Sequence, residues 1–339
     1  MIKKPLFLFL FFSTFTATAQ IQDRTQIRGF IDINTGYDFD NEKLQFSLGE
    51  QDLFITSDLT DKISFLGESV FKFSSTSSTK FAISLERAIF KFNYWGNHSF
   101  FAGKVHTALN YWNDTYHHGR LFFPTVGRPE LFNQNIIPLH TTGIGFSGEN
   151  LSAIKFGYTL MVGNGIGSTD ISDDNFAKAV IAACHIKPID GLRIGLSAYF
   201  DKIVGNVHDH GGGVVHVHDE ITQTIYSGSI AYFKNNIEIL TEGSMCTNST
   251  DSLKNKVTNA AYFYAGYRIK NIIVPYFRFD YLDFDTGEMF FAPNKTNAYA
   301  VGIRYEMSYL TSFKLEYQYK KVGNPDFTNN IFLQVAIGF

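Results

Sequence analysis

The most constraining feature of this chain is a strict two-residue alternation that recurs along almost its whole length. In 331–339 one face reads Ile331, Leu333, Val335, Ile337, Phe339 and the other Phe332, Gln334, Ala336, Gly338. Upstream, Phe313, Leu315, Tyr317 and Tyr319 alternate with Lys314, Glu316, Gln318 and Lys320. Tyr299, Val301, Ile303 and Tyr305 alternate with Ala300, Gly302, Arg304 and Glu306. Pro275, Phe277, Phe279 and Tyr281 alternate with Tyr276, Arg278 and Asp280. Period two places successive side chains on opposite faces of a strand, so each segment is a strand with one apolar face. The segments run to about ten residues, and aromatics sit near the ends of the apolar face, which suits a strand crossing a bilayer.

About sixteen such segments are predicted, from 26–37 at one end to 328–339 at the other. A phase change at Glu86-Arg87 predicts a β-bulge there. Tight connections such as Trp95-Gly96-Asn97, Lys234-Asn235-Asn236 and Lys270-Asn271 alternate with long ones. The longest of these are 107–140 and 204–220. Short turns on one side and long loops on the other are the signature of an antiparallel transmembrane β-barrel, with the short turns periplasmic and the long loops extracellular. Past the N-terminus no apolar run reaches about 18 residues, so no transmembrane helix is available. Aromatic residues make up 16% of the chain, with 35 Phe and 18 Tyr, which fits lipid-facing girdles. The net charge of −3 argues against nucleic acid as a partner.

Residues 1–19 read as a cleaved signal peptide: Lys3 and Lys4, an apolar stretch, then Ala17-Thr18-Ala19. Export through the inner membrane follows, with 20–339 as a single barrel domain in the outer membrane. Cys184 and Cys246 fall on non-adjacent strands, at opposite ends of the barrel, and are expected to stay unbonded.

In strand number, turn alternation, the long connection between strands five and six, and a terminal Phe339, the chain resembles the general bacterial outer-membrane porins. Pro129-Glu130-Leu131-Phe132 is a partial echo of a segment common in that long loop. The resemblance implies that loop 107–140 folds into the lumen and narrows it. It implies that Phe339 is part of the signal read by the barrel-assembly machinery. It also raises a homotrimer, a frequent assembly in that family.

The residues point to chemistry in three places. Loop 107–140 carries Asp114, His117, His118, Arg120, Arg128 and Glu130 among aromatic rings, and these are the expected pore-constriction residues. The alternative is an external lid whose charges are structural ion pairs. Arg193, Asp201, Glu238, Glu242, Arg268, Arg278, Asp280, Arg304, Glu306, Lys314 and Glu316 fall on the polar phase of their strands and are expected to line the lumen. In 204–220, His208, His210, His216 and His218 flank three glycines. A hairpin there would set His210 opposite His216 and His208 opposite His218, which suits zinc or copper; no other cofactor is expected. The alternative is a mobile polar loop.

Ser99 and His98 are adjacent and so point to opposite faces, and no hydrolase motif occurs. The expected function is that of a porin, not an enzyme, passing small hydrophilic solutes. Alternatives are a selective channel or capture protein for divalent metal ions, or a non-transport barrel serving as adhesin, lipid-modifying enzyme or scaffold.

Overall fold

In the computed structural model the chain closes into one barrel of sixteen antiparallel strands, each paired with its sequence neighbours and β1 with β16. The structure describes residues 24–74, 78–116, 119–165, 175–208, 214–292, 294–323 and 326–339, with only the backbone of 205–208 and 214–218. The signal-peptide reading therefore lies outside the described residues. The strands are β1 Thr25–Asp38, β2 Lys43–Asp58, β3 Ile63–Phe73, β4 Phe81–Trp95, β5 His98–His106, β6 His140–Leu151, β7 Phe156–Gly163 and β8 Ala179–Ile186. Then come β9 Leu192–His208, β10 Val214–Lys234, β11 Ile237–Ser249, β12 Lys256–Tyr267, β13 Ile273–Phe284, β14 Thr296–Ser308, β15 Thr311–Val322 and β16 Thr328–Gly338.

Turn chemistry sets the registers. Asn235 and Asn236 both take positive φ, 53° and 66°, as do Lys270 and Asn271 at 49° and 62°. Two consecutive left-handed residues make the type I′ turn whose twist matches the flanking strands, and Asn adopts it at little cost. These tight turns follow the even-numbered strands and are periplasmic by the length rule for such barrels. Where β3 meets β4 the register slips between Glu68 and Ser69, so Glu86 is the extra residue of a bulge at the site the sequence predicts.

Side chains divide cleanly between lipid and lumen. On β14, Val301 and Ile303 are 57% and 50% exposed, while the flanking Ala300 and Arg304 are buried. On β15, Leu315 is 47% exposed, while Lys314 and Glu316 are fully buried. An exposed apolar belt around a polar interior is unstable in water and stable in a bilayer, so this is a transmembrane barrel. Cys184 on β8 and Cys246 on β11 are both free thiols.

Two sequence expectations need correction. The strands around 204–220 run on into that segment, and only 209–213 separates β9 from β10. The register there puts His208 opposite Val214 and His216 opposite Asn206. The two His-x-His units are therefore offset from the directly opposed pairs expected of them. His210 lies outside the described residues, as do the side chains of His208, His216 and His218. The second correction concerns 107–140, since His140 is the first residue of β6, paired with His106.

Candidate pore-lining site

The segment 107–139 folds into the barrel, and its composition explains why. Leu109, Trp112, Phe123, Leu131, Phe132, Ile136 and Ile137 are each at most 1% exposed, packed in one cluster with inward residues such as Tyr199, Ile225, Leu240, Tyr262 and Leu282. Burying each such side chain is worth about 1.5–3 kcal/mol, which a solvent-facing loop would forgo. Trp112 is the hub, with ring centroids 5.1 Å from Phe123 and Tyr116 and 6.0 Å from Tyr262.

Two short helices carry the segment across the lumen, α1 Tyr111–Thr115 and α2 Glu130–Asn133. Their backbone amides meet carboxylates of the far wall. The Tyr111 and Trp112 N–H groups donate to Glu242, the latter at 3.0 Å. The Val126 N–H donates to Glu316 at 3.1 Å and the Glu130 N–H to Asp280 at 3.0 Å. Cations of the same wall reach loop carbonyls: Arg278 donates to Gly127 O at 2.8 Å, Arg304 to Pro124 O at 2.9 Å and Lys314 to Arg120 O at 2.5 Å. Charges buried without such partners would cost several kcal/mol each. The wall charges also serve one another. Arg304 bonds Glu238 at 2.8 Å and Glu306 at 2.8 Å, Arg268 bonds Glu238 at 2.8 Å, and Arg278 bonds Asp280 at 2.8 Å. Tyr262, Tyr264 and Tyr276 donate their hydroxyls to Glu242, Glu238 and Glu316 at 2.9, 2.7 and 2.8 Å.

The expected constriction residues are distributed along this inserted segment. Asp114 bonds Arg193 at 2.9 Å. Arg120 lies 3.7 Å from Glu50 and stacks over the Phe123 ring. Glu130 takes Lys320 at 2.7 Å. Arg128 is pushed down to about 10 by burial and by Arg120, against the opposing pull of Glu50, Glu86 and Asp52, and is still charged at neutral pH. Burial likewise raises the Tyr116 hydroxyl well above its ordinary range. His117 and His118 lie outside the described residues. The expected lumen charges from Arg193 to Glu316 all point inward; Asp201 is buried against the Tyr199 hydroxyl at 2.8 Å, and Arg268 acts from the turn just after β12.

Sequence reasoning missed the opposite wall. Asp32, Glu50, Asp52, Glu68 and Glu86 project inward from β1 to β4, and all but Glu50 are almost fully buried. Glu68 pairs with Arg87 beside it. The bulge at Glu86 and the mixed polarity of these strands hide the phase. Ser99 donates to Asn93 at 2.6 Å, while His98 turns to Tyr158 at 2.9 Å, so the two form no nucleophile–base pair.

The closed sixteen-strand barrel matches solved outer-membrane proteins. The fold is that of the outer-membrane porins. The chain superposes on in-vitro folded OmpT, an outer membrane protein of Vibrio cholerae in its trimer form, with a TM-score of 0.67 at 13% identity, covering 93% of this chain and 99% of that one. An anion-selective porin from Comamonas acidovorans gives 0.66 at 10% identity, with 93% and 99% covered. The outer membrane channel DcaP of Acinetobacter baumannii gives 0.64 at 11% identity, with 93% and 97% covered. No family model and no curated protein matches the sequence. The likeness is one of architecture, carried by alternation and turn lengths and not by residue identity.

Proposed function

We propose that the protein is an outer-membrane porin through which small hydrophilic solutes diffuse passively, with segment 107–139 as the constriction. The observation that carries this reading is the docking of that segment across the lumen by backbone amides on Glu242, Glu316 and Asp280. A segment held this way narrows a barrel without closing its ends, and the charged side chains left beside it set which solutes pass. Arg120 and Arg128 on the segment, facing the carboxylates of β1 to β4, are the groups assigned to that selection. The porin-type neighbours favour a channel over an enzyme, as does the lack of a nucleophile–base pair at Ser99. The Phe339 backbone bonds Gly29 in both directions at 2.9 Å, which seals the β1–β16 seam. A homotrimer is the assembly this reading expects. Liposome swelling in sugars of increasing size tests the proposal. Swelling with small sugars and none with large ones is the expected result, and no swelling with any sugar would refute it.

A further inference from the structure

On its periplasmic side the inserted segment shelters an open recess of about 300 Å³, bounded by the segment itself and by the wall from β10 to β15. Pockets for one small molecule start at about this size. One side of the recess is apolar, lined by Tyr116, Phe122 and Pro124 of the segment and by Phe233 of β10. Phe122 lies inside the barrel and is still 53% exposed, while its ring is fixed against Phe30, edge to face at 5.3 Å. A fixed, half-exposed ring in a lumen otherwise rich in charge is a platform for another flat apolar surface.

The other side is polar and has hydrogen-bonding capacity to spare. Ser312 of β15 lines the recess and is 1% exposed, yet its hydroxyl has no partner among the described residues. Buried hydroxyls are nearly always bonded, so this one is incomplete within the protein alone. Glu306 accepts two bonds from Arg268, at 2.5 and 3.1 Å, and one from Arg304 at 2.8 Å. A carboxylate has about four acceptor sites, so one is open. Ser308 accepts the Leu310 N–H at 3.1 Å and keeps its own proton to donate. Glu238, by contrast, is saturated by Tyr264, Arg268 and two bonds from Arg304.

Charge decides the class of ligand. Arg268 and Arg304 each bond both Glu238 and Glu306, so the quartet is neutral and exerts no net pull on an anion or a cation. The complementary shape is an uncharged ring with an apolar face and hydroxyls around its rim. The face would cover Phe122, and the hydroxyls would donate to Glu306, accept from Ser308 and do either at Ser312. A sugar in its ring form has this surface.

We propose that the recess binds a single neutral sugar ring, stacked on Phe122, on the periplasmic side of the constriction. Its part in solute passage rests on the porin reading, whereas the binding itself does not. The test is calorimetric titration of folded, heat-modifiable protein with glucose and, separately, with glycerol, which has hydroxyls and no ring face. The detergent must carry no sugar headgroup. Saturable glucose binding is expected in wild type, several-fold weaker in Phe122→Ala and in Ser312→Ala, and several-fold tighter than that of glycerol. No saturable glucose binding to wild type, equal affinity for glycerol, or unchanged affinity in either variant would overturn the site. Phe122→Trp gives a readout at the platform itself. Glucose should change its emission along the calorimetric saturation curve, and a response no larger than that of wild type would also overturn it. Saturable binding without liposome swelling in any sugar would fault the porin reading and leave the site standing. Swelling with glucose but no saturable binding would keep the porin reading and remove the site.

Discussion

Single residues show most plainly how the two faces are read. Leu315 and Lys314 are neighbours, yet one is 47% exposed to lipid and the other fully buried in the lumen. Leu315→Arg places a charge in the apolar belt, at a cost of about 2–4 kcal/mol near mid-membrane. It should abolish the migration difference between heated and unheated protein in detergent. Lys314→Gln should keep that difference and only loosen the bond to Arg120 O; equal behaviour of the two variants would mean the faces are reversed. Arg278 is a stronger case, since it bonds Asp280, Thr125 and Gly127 O at once. Arg278→Ala leaves Asp280 and Glu130 buried side by side, and losing one partner of a buried pair costs about 3–5 kcal/mol. Proteolysis within 119–139 should then precede unfolding of the barrel in urea; an unchanged cleavage pattern would contradict the assigned role. The inward charges from Arg193 onward were legible because their strands alternate without interruption. Glu50, Asp52 and Glu86 were not, because bulges in β2 and β4 shift the phase by one residue and a one-residue slip exchanges the faces, and Glu68 was not, because the apolar Val70 shares its inward face.

At the scale of elements, the number of strands was readable from the two-residue alternation and the order of short and long connections from turn residues. Asn235-Asn236 and Lys270-Asn271 demand tight reversals that few other structures satisfy. The length of 107–139 and its rings announced a buried segment. Which wall it would dock on was not readable, because the docking uses backbone amides, which carry no sequence signal. The histidine hairpin failed for a related reason. Strand propensity in Val214, Val215 and Val217 extends the ladder, and register, which the sequence does not state, separates His208 from His218. Removal of 113–132 should enlarge the lumen and raise single-channel conductance several-fold in protein that still migrates as a folded barrel. The same removal strips the loop partners of Glu316 and Asp280, so the shortened barrel should also unfold at lower urea concentration. A folded, shortened barrel with wild-type conductance would show that the segment does not set the constriction.

The whole molecule is a closed sheet whose outer surface is solvated by lipid and whose inner surface is solvated largely by its own inserted segment. Closure pairs every strand on both sides, and among the described residues the upper part of β4, 201–208 of β9 and 214–221 of β10 run on beyond one neighbour's ladder; at β4 Lys104 reaches across to the wall. The architecture matches solved outer-membrane proteins at 10–13% identity, because alternation, turn type and strand count define the barrel and leave most residue identities unconstrained. The proposed function requires that the barrel conduct through a path narrowed from within. Single-channel recording of the refolded, heat-modifiable protein in a planar bilayer tests it most directly. Discrete current steps are expected from wild type, and markedly larger steps once 113–132 is removed. A correctly folded barrel that gives no steps in either form would contradict it.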